Sequence, residues 1–261
     1  SDSFAYTKDG FFRNPITWVL LIILGILPVV PFIIAVIALV PALLIGAIPD
    51  IPTLIVAFAG ALIMAIILGA LYIGYQVKIY RGETPLPDVA GFGRMFTDGI
   101  KYCIIEIIYA IPVLIIMGVT IGTAVMSILS AGLDFEAWLP MIGTVLLGIL
   151  IALIVGFIIR LFSIIGIVRF ARTGSIGEAF NFHEILKTIR RIGWGGYILA
   201  LILVIVIIAV VEFIIGIIPY IGWILTFILS PLFMVFFARY IALLYDANQP
   251  ADTQQPLPPE P

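Results

Sequence analysis

Residues 198–211 read ILALILVIVIIAVV, an unbroken run of aliphatic side chains. The run lacks the alternation of apolar and polar residues that the strands of a membrane β-barrel require. In a bilayer every backbone polar group must be satisfied within the protein, so only helices and closed barrels can span it. The stretch therefore predicts a transmembrane α-helix.

The composition extends this prediction to the whole chain. Hydrophobic residues make up 63% of the 261 residues and charged residues 11%. Soluble domains have about 45–50% apolar and about 25% charged residues. A soluble fold would lack the polar surface to cover so many aliphatic side chains. We therefore expect an all-α integral membrane protein.

The number of spans follows from the length of the apolar runs, because a transmembrane helix needs about 20 residues. Six runs are long enough, and they cover residues 16–47, 53–80, 101–130, 139–169, 195–218 and 221–245. Pro28, Pro31 and Pro41 interrupt the first run, and a proline inside a helix removes a hydrogen bond. We expect one kinked span there, and a polytopic bundle of about six spans overall.

The chain divides into three parts. Residues 1–15 form an N-terminal segment, residues 16–246 the six-helix membrane domain, and residues 247–261 a Pro-rich tail. Within the membrane domain, residues 51–130 and 139–218 share an order of two spans joined by a long basic connection. This order predicts a parallel internal repeat.

Positive charge lies at or near one predicted face of the membrane. All thirteen Lys and Arg belong to the N-terminal segment, to the two long connections with the span ends beside them, or to the end of the sixth span. The three opposite connections, near Asp50, Asp134 and Pro219, contain neither. The positive-inside rule then predicts a cell-membrane protein with both termini in the cytoplasm.

The second long connection is predicted to contain an interfacial amphipathic helix. Ser175 and Glu178 have the spacing of a capping box at its start. Its apolar residues recur at i, i+3, i+4 and i+7, and they are Phe182, Ile185, Leu186 and Ile189. A helix of this kind lies in the membrane interface, and we expect its apolar side to face lipid.

The first long connection is predicted to contain a shorter helix of the same kind. Asp88 would cap it, and Phe92, Met95 and Phe96 would share one side. The fold class is therefore all-α, with two cytoplasmic interfacial helices in addition to the spans.

The two connections also carry short motifs. They are Arg81-Gly82-Glu83, Leu86-Pro87, Phe92, Phe96 and Gly99 in the first, and Phe170-Ala171-Arg172-Thr173-Gly174 with Ala179-Phe180 in the second. In these motifs the chain resembles a family of prokaryotic, largely archaeal, polytopic membrane proteins, the domain of unknown function forty-thirteen. The resemblance extends from the first span to Tyr245. It implies several membrane helices and no established activity, so no functional residue is carried over from it.

Four ionisable residues occur inside or at the edge of the apolar runs: Glu106, Arg160, Glu212 and Arg239. Charges in hydrocarbon are costly, so such residues pair with one another or face water. At 1.5 Å per residue, Glu106 lies about 8 Å and Arg160 about 14 Å from the basic face. The extended side chain of Arg160 allows a pair with Glu106, with Arg239 near the same level. Glu212 lies nearer the opposite face. The pair is either a clamp between helices or a gate in a conduit.

Small and hydroxyl residues also recur in the third and fourth spans. Gly118 and Gly122 form a small-xxx-small motif, which lets helices approach closely. Thr120, Thr123 and Ser127 nearly share one face of the same span. Helix packing is the favoured interpretation, and a polar seam is the alternative.

Several function classes lack a signature. Nucleotide-binding, hydrolase and zinc-protease motifs are absent from the sequence. The lone His183 and lone Cys103 predict no metal site, and we expect no cofactor. The basic residues are spread through the connections, so no nucleic-acid partner is expected.

The favoured hypothesis is a non-catalytic structural or accessory subunit, in contact with membrane lipids, that assembles with other membrane chains or with itself. The alternatives are a small-solute or ion channel or transporter gated near Glu106 and Arg160, and an intramembrane enzyme.

Overall fold

The computed structural model describes residues 2–47, 49–131 and 135–247. All regular elements within these ranges are helices, and six of them are long and apolar enough to cross a membrane. The predicted all-α fold with six spans is therefore confirmed. The connection at Asp134 and the Pro-rich tail from residue 248 onward lie outside the described residues.

The helices are named in chain order. They are α1 (Asp2–Arg13), α2 (Pro15–Ile26), α3 (Val30–Leu44), α4 (Ile51–Arg81), α5 (Phe92–Ala131), α6 (Phe135–Thr173), α7 (Phe182–Ile192), α8 (Trp194–Gly216) and α9 (Gly222–Asp246). Two short 3₁₀ segments, Leu27–Val29 and Ile176–Phe180, complete the description.

The first span is a helix with a change of geometry in its middle, as the prolines predict. The 3₁₀ segment Leu27–Val29 contains Pro28 and separates α2 from α3. Asn14 starts α2, because its side chain accepts a hydrogen bond from the backbone N–H of Thr17 at 3.4 Å. Pro15 follows at the first helical position, where its missing N–H costs nothing.

The N-terminal segment is itself helical, which the sequence analysis did not predict. Ser3, Thr7 and Phe11 of α1 are buried, at the four-residue spacing of one helix face. The exposed side chains of Phe4 and Phe12 lie on another face. α1 packs on α9 and on α2, so the segment belongs to the folded domain.

The centre of the fold is formed by α4, α5 and α6. A Cβ atom at Gly74 would overlap the backbone carbonyl of Met95, and one at Gly99 would overlap that of Ala70. Glycine therefore permits α4 and α5 to approach each other closely. α4 ends at Gly82, whose φ of 90° is a left-handed conformation that suits glycine.

The second connection differs from its prediction in two ways. Asn181 caps α7, whereas Ser175 makes no capping hydrogen bond and Glu178 pairs with Arg169. The apolar side of α7 also faces protein: Ile185 and Ile189 are fully buried in the core. Phe182 remains half exposed. The amphipathic helix therefore covers the end of the bundle.

The first connection differs as well. Phe92, Met95 and Phe96 belong to the first turns of the long helix α5, and residues 82–91 contain no helix. Asp88 instead accepts a hydrogen bond from the side-chain amide of Asn14 at 2.6 Å. A separate short helix is not needed, because the third span continues past the predicted membrane boundary.

Candidate functional site

The segments that carry the basic residues meet at one end of the bundle, which we call the basic end. The Tyr6 hydroxyl of α1 donates to the Glu83 carbonyl at 2.8 Å. Lys101 of α5 donates to the Gly174 carbonyl at 3.4 Å. α1 thus contacts the first long connection and, in addition, α9, while α5 contacts the second long connection. The other end, where α3 leads to α4 and α8 turns into α9, is called the opposite end.

Arg81 is the centre of the basic end. Its guanidinium contacts Asp98 of α5 (Nη2 to Oδ2) at 2.6 Å and donates through Nε to the Ala171 carbonyl of α6 at 3.1 Å. A longer contact of 3.4 Å reaches Glu83. Only 9% of the Arg81 side chain and 8% of the Asp98 side chain are exposed. One buried cation therefore joins three spans.

Two further ion pairs attach the neighbouring segments. Arg169 of α6 pairs with Glu178 of the 3₁₀ segment, and Asn181 also donates to Glu178. The hydrogen bond from Arg169, followed by that from Asn181, lowers the pKa of the Glu178 carboxyl. Arg172 donates to both carboxylate oxygens of Asp246, at 2.7 and 2.6 Å, and so joins α6 to the end of α9.

Tyrosine hydroxyls satisfy backbone carbonyls across the same end. Tyr75 donates to the Pro87 carbonyl at 2.8 Å, Tyr109 to that of Ala179 at 2.6 Å, and Tyr197 to that of Leu161 at 2.7 Å. The first two bonds hold the long connections onto the spans. They also supply the hydrogen bonds that non-helical backbone needs when it is covered by protein.

Glu106 and Arg160, whose pairing the sequence allows without deciding it, are in contact. Arg160 Nη1 lies 2.7 Å from Glu106 Oε1 and joins α5 to α6. The hydroxyls of Tyr80 and Tyr102 are close to the same guanidinium. Both charged side chains retain exposed surface, 49% for Arg160 and 31% for Glu106. The pair therefore lies at the edge of the bundle and connects two neighbouring spans.

Arg239 and Glu212 are not part of this pair. The Arg239 guanidinium carbon lies 4.6 Å from the centre of the Tyr6 ring, a cation–π contact. Burial raises the pKa of the Tyr6 phenol, and the nearby charge of Arg239 opposes this increase. Glu212 is exposed on α8 and makes no ion pair with a described residue. Of the four charged residues, Glu106 and Arg160 contact each other, and α1 provides the contact of Arg239.

The small residues of α5 and α6 have different surroundings. A Cβ at Gly148 would overlap the side chain of Thr120, so Gly148 serves packing between α5 and α6. Gly118 and Gly122 have no neighbour within 4 Å of such a Cβ among the described residues. Thr120, Thr123 and Ser127 donate to carbonyls of their own helix. They therefore form no seam of hydrogen bonds between helices.

The described residues line two notable concave regions. A groove of about 740 Å³ is lined by α1, α2, α8 and α9. A depression of about 420 Å³ lies on the outer side of α7, beside His183, Leu186, Lys187, Arg190 and Arg191. Neither region is lined by Glu106 or Arg160.

The family model for the "Protein of unknown function (DUF4013)" matches residues 57–220, more than half of the chain. The protein belongs to this family. The match begins inside α4 and ends just after α8, so it contains both long connections but not α1 to α3 or α9. It is narrower than the resemblance inferred from the motifs. No curated protein and no solved structure matches the chain.

Sequence reasoning missed the most buried ion pair, Arg81–Asp98. Arg81 was noted only as a basic residue after the second span and as part of a family motif. A signal was nevertheless present: Asp98 is an acid just before the predicted third span and four residues after Arg94, the spacing of an ion pair on one helix face. Arg94 is in fact a second, longer contact of Asp98, at 3.9 Å.

Proposed function

We propose that this integral membrane protein is a non-catalytic structural or accessory subunit that assembles laterally with other membrane chains or with further copies of itself. The observation that carries the proposal is the open position of Gly118 and Gly122 on α5. Both are exposed, and neither faces a described neighbour. The backbone of α5 is thus open to close approach by a helix from another chain, which is how membrane helices associate.

The low burial of the neighbouring spans supports the proposal. In the most apolar 18-residue stretch of α6, only 6% of the residues are buried within the chain, and in that of α8 only 11%. Large side chains such as Leu129 and Leu153 are 74% and 66% exposed. Lipid can cover such surfaces, but packing against another helix provides dispersion contacts that a fluid lipid chain does not hold in place.

The charge distribution supports an orientation. The segments that meet at the basic end carry most of the Lys and Arg residues, and cytoplasmic loops of membrane proteins have an excess of these residues. We infer a cell-membrane protein with its basic end and both termini in the cytoplasm. Attachment of a reagent that cannot cross the membrane to a cysteine introduced at Gly91 tests this orientation in cells.

The assembly proposal is tested by the mass of the purified protein in lipid discs and mild detergent. Wild type is expected to form a complex with itself or with a co-purifying membrane chain. Gly122→Ile should dissociate it, because the larger side chain separates the helices. Gly60→Ile is the matched control, since Gly60 of α4 also has open space around it. A wild-type monomer without a partner, or equal effects of both variants, would contradict the proposal.

A conduit gated near Glu106 and Arg160 is the second candidate. The exposed surface that both side chains retain inside apolar spans favours it. Its weakness is that neither concave region reaches the pair. Reconstituted vesicles should then pass an ion or small solute, and Glu106→Gln or Arg160→Gln should change the rate. Vesicles that stay impermeable to the ions and solutes tested would contradict the conduit. The pair would then serve only to join α5 to α6.

A further inference from the structure

The groove of about 740 Å³ is formed because α2 and α8 both pack on α9 but leave a space between them. Trp18 of α2 fixes one wall, since its indole N–H donates to the Ile228 carbonyl of α9 at 2.9 Å. Ile207 and Val211 of α8 form the facing wall. α1 lines the groove at the basic end, in part through the exposed side chains of Phe4 and Phe12.

The lining is apolar with two exceptions, Thr7 and Lys8 of α1. The Thr7 hydroxyl is already used, because it donates to the Ser3 carbonyl at 2.8 Å. Lys8 is exposed and makes no ion pair with any residue in the described ranges. The groove thus combines a hydrocarbon-like interior with one unpaired cation at its basic end.

We propose that this groove binds one anionic membrane lipid. Its hydrocarbon chain would lie along α2, α8 and α9, and its headgroup would lie beside Lys8. The volume is in the range of about 300–1,000 Å³ that is usual for small-molecule sites. Basic pockets between membrane helices on the cytoplasmic side bind anionic headgroups in this way. The site is independent of lateral assembly through α5.

The position of α1 favours a lipid over a helix of a partner. A helix with its side chains is about 10–12 Å across, and one that spanned the membrane through this groove would collide with α1 at the basic end. A lipid ends there, because its headgroup remains in the interface. A lipid therefore satisfies the apolar walls and the free ammonium together.

Quenching of Trp18 fluorescence by brominated lipid chains tests the proposal directly. Trp138, Trp194 and Trp223 are replaced by Phe so that Trp18 is the remaining tryptophan of the four. The full chain is reconstituted in phosphatidylcholine vesicles that contain increasing fractions of brominated phosphatidylglycerol or brominated phosphatidylcholine. The anionic lipid is expected to quench Trp18 at about a fivefold lower lipid fraction than phosphatidylcholine does. This is the preference that one basic residue near the membrane surface gives to an anionic lipid.

Matched variants separate the headgroup contact from general charge. Lys8→Gln should abolish the preference for the anionic lipid, and Lys8→Arg should retain it. Arg13→Gln removes the same charge from α1 outside the groove and should leave the preference intact. Val211→Phe should reduce quenching by both lipids because it fills the groove, whereas Val210→Phe, which does not line it, should not.

Three results would overturn the proposal. The first is equal quenching by the two lipids. The second is equal loss of preference in Lys8→Gln and Arg13→Gln. The third is a Trp18 that neither lipid reaches, which would show that protein fills the groove. Circular dichroism of each variant confirms that the helices are retained, so a folding defect is not mistaken for any of these results.

Discussion

Asp98 and Glu212 are both carboxylates within membrane-spanning helices, but their surroundings are opposite. Asp98, at the basic end, is buried against Arg81, which also binds the Ala171 carbonyl of α6. Glu212, toward the opposite end, is exposed on α8. The same contrast holds for whole regions. The basic end contains most of the buried core, whereas the apolar halves of α5, α6 and α8 at the opposite end are largely exposed. Contacts within the chain therefore stabilise the basic end, whereas the apolar surface at the opposite end is accessible to lipid or to another chain.

The largest expected effect comes from removing one of these two charges. Asp98→Asn leaves the Arg81 guanidinium buried without its closest anion, which costs about 3–5 kcal/mol of unfolding free energy. Glu212→Gln removes an exposed charge and should change stability by less than about 0.5 kcal/mol. Unfolding of both variants in mixed detergent measures the difference. Similar losses in the two variants would disprove the contrast between the ends.

The next effect is steric. Gly74→Ala places a methyl group against the Met95 carbonyl and should destabilise the protein by about 1–3 kcal/mol. Gly122→Ala meets no described neighbour and gains helix propensity, so its stability should be unchanged or slightly higher. The thermal midpoints of both variants in the same detergent test this. A tolerant Gly74 would mean that α4 and α5 separate easily.

A smaller loss of stability is expected when one tyrosine hydroxyl group is removed. Tyr109→Phe leaves the Ala179 carbonyl without its hydrogen bond and should cost about 1 kcal/mol. Tyr220→Phe, on a side chain that is 91% exposed at the opposite end, should have no measurable effect. Hydrogen exchange of residues 176–192 gives a local test, because the loss should appear first in the connection that Tyr109 holds.

The smallest expected effect is a change in how the stability of the protein depends on pH. The pKa of Glu178 is lowered by its hydrogen bonds from Arg169 and Asn181, and that of Asp50 by its bonds from Thr53. A lowered pKa in the folded state stabilises the fold above the unfolded value, about 4.3 for Glu. This contribution is lost as the pH falls through the folded pKa.

Glu178→Gln should therefore be less stable than wild type at pH 7, and the difference between the two melting temperatures should shrink as the pH falls below the unfolded value of about 4.3. Asp50→Asn retains a capping side chain, so it should differ less from wild type at pH 7. If the melting temperatures of Glu178→Gln and wild type differ by the same amount at every pH, the charge of Glu178 in its ion pair with Arg169 contributes nothing to stability.

The number and order of the spans could be predicted from the sequence because a hydrocarbon layer imposes a length on every apolar helix. The pair of Glu106 and Arg160 could be anticipated for a similar reason, since depth is proportional to residue number along a helix. The partner of Arg239 could not, because Tyr6 lies on α1, in an N-terminal segment to which sequence reasoning assigned no secondary structure. Asp98 was missed because a single acid near a span end resembles an ordinary interfacial residue.

The orientation of α7 shows where sequence reasoning stops. Ile185 and Ile189 follow the helical period whether they face lipid or protein, since both surroundings are apolar. The tertiary structure directs them into the core.

The sequence alone therefore determined the six spans, the interruption of the first span by its prolines and the separation of charge along the chain. The tertiary structure decided which apolar faces are covered by the chain itself and which are not. In a bilayer the hydrophobic effect does not distinguish these faces, so close packing, as at Gly74 and Gly99, and polar contacts, as at Arg81, select the arrangement.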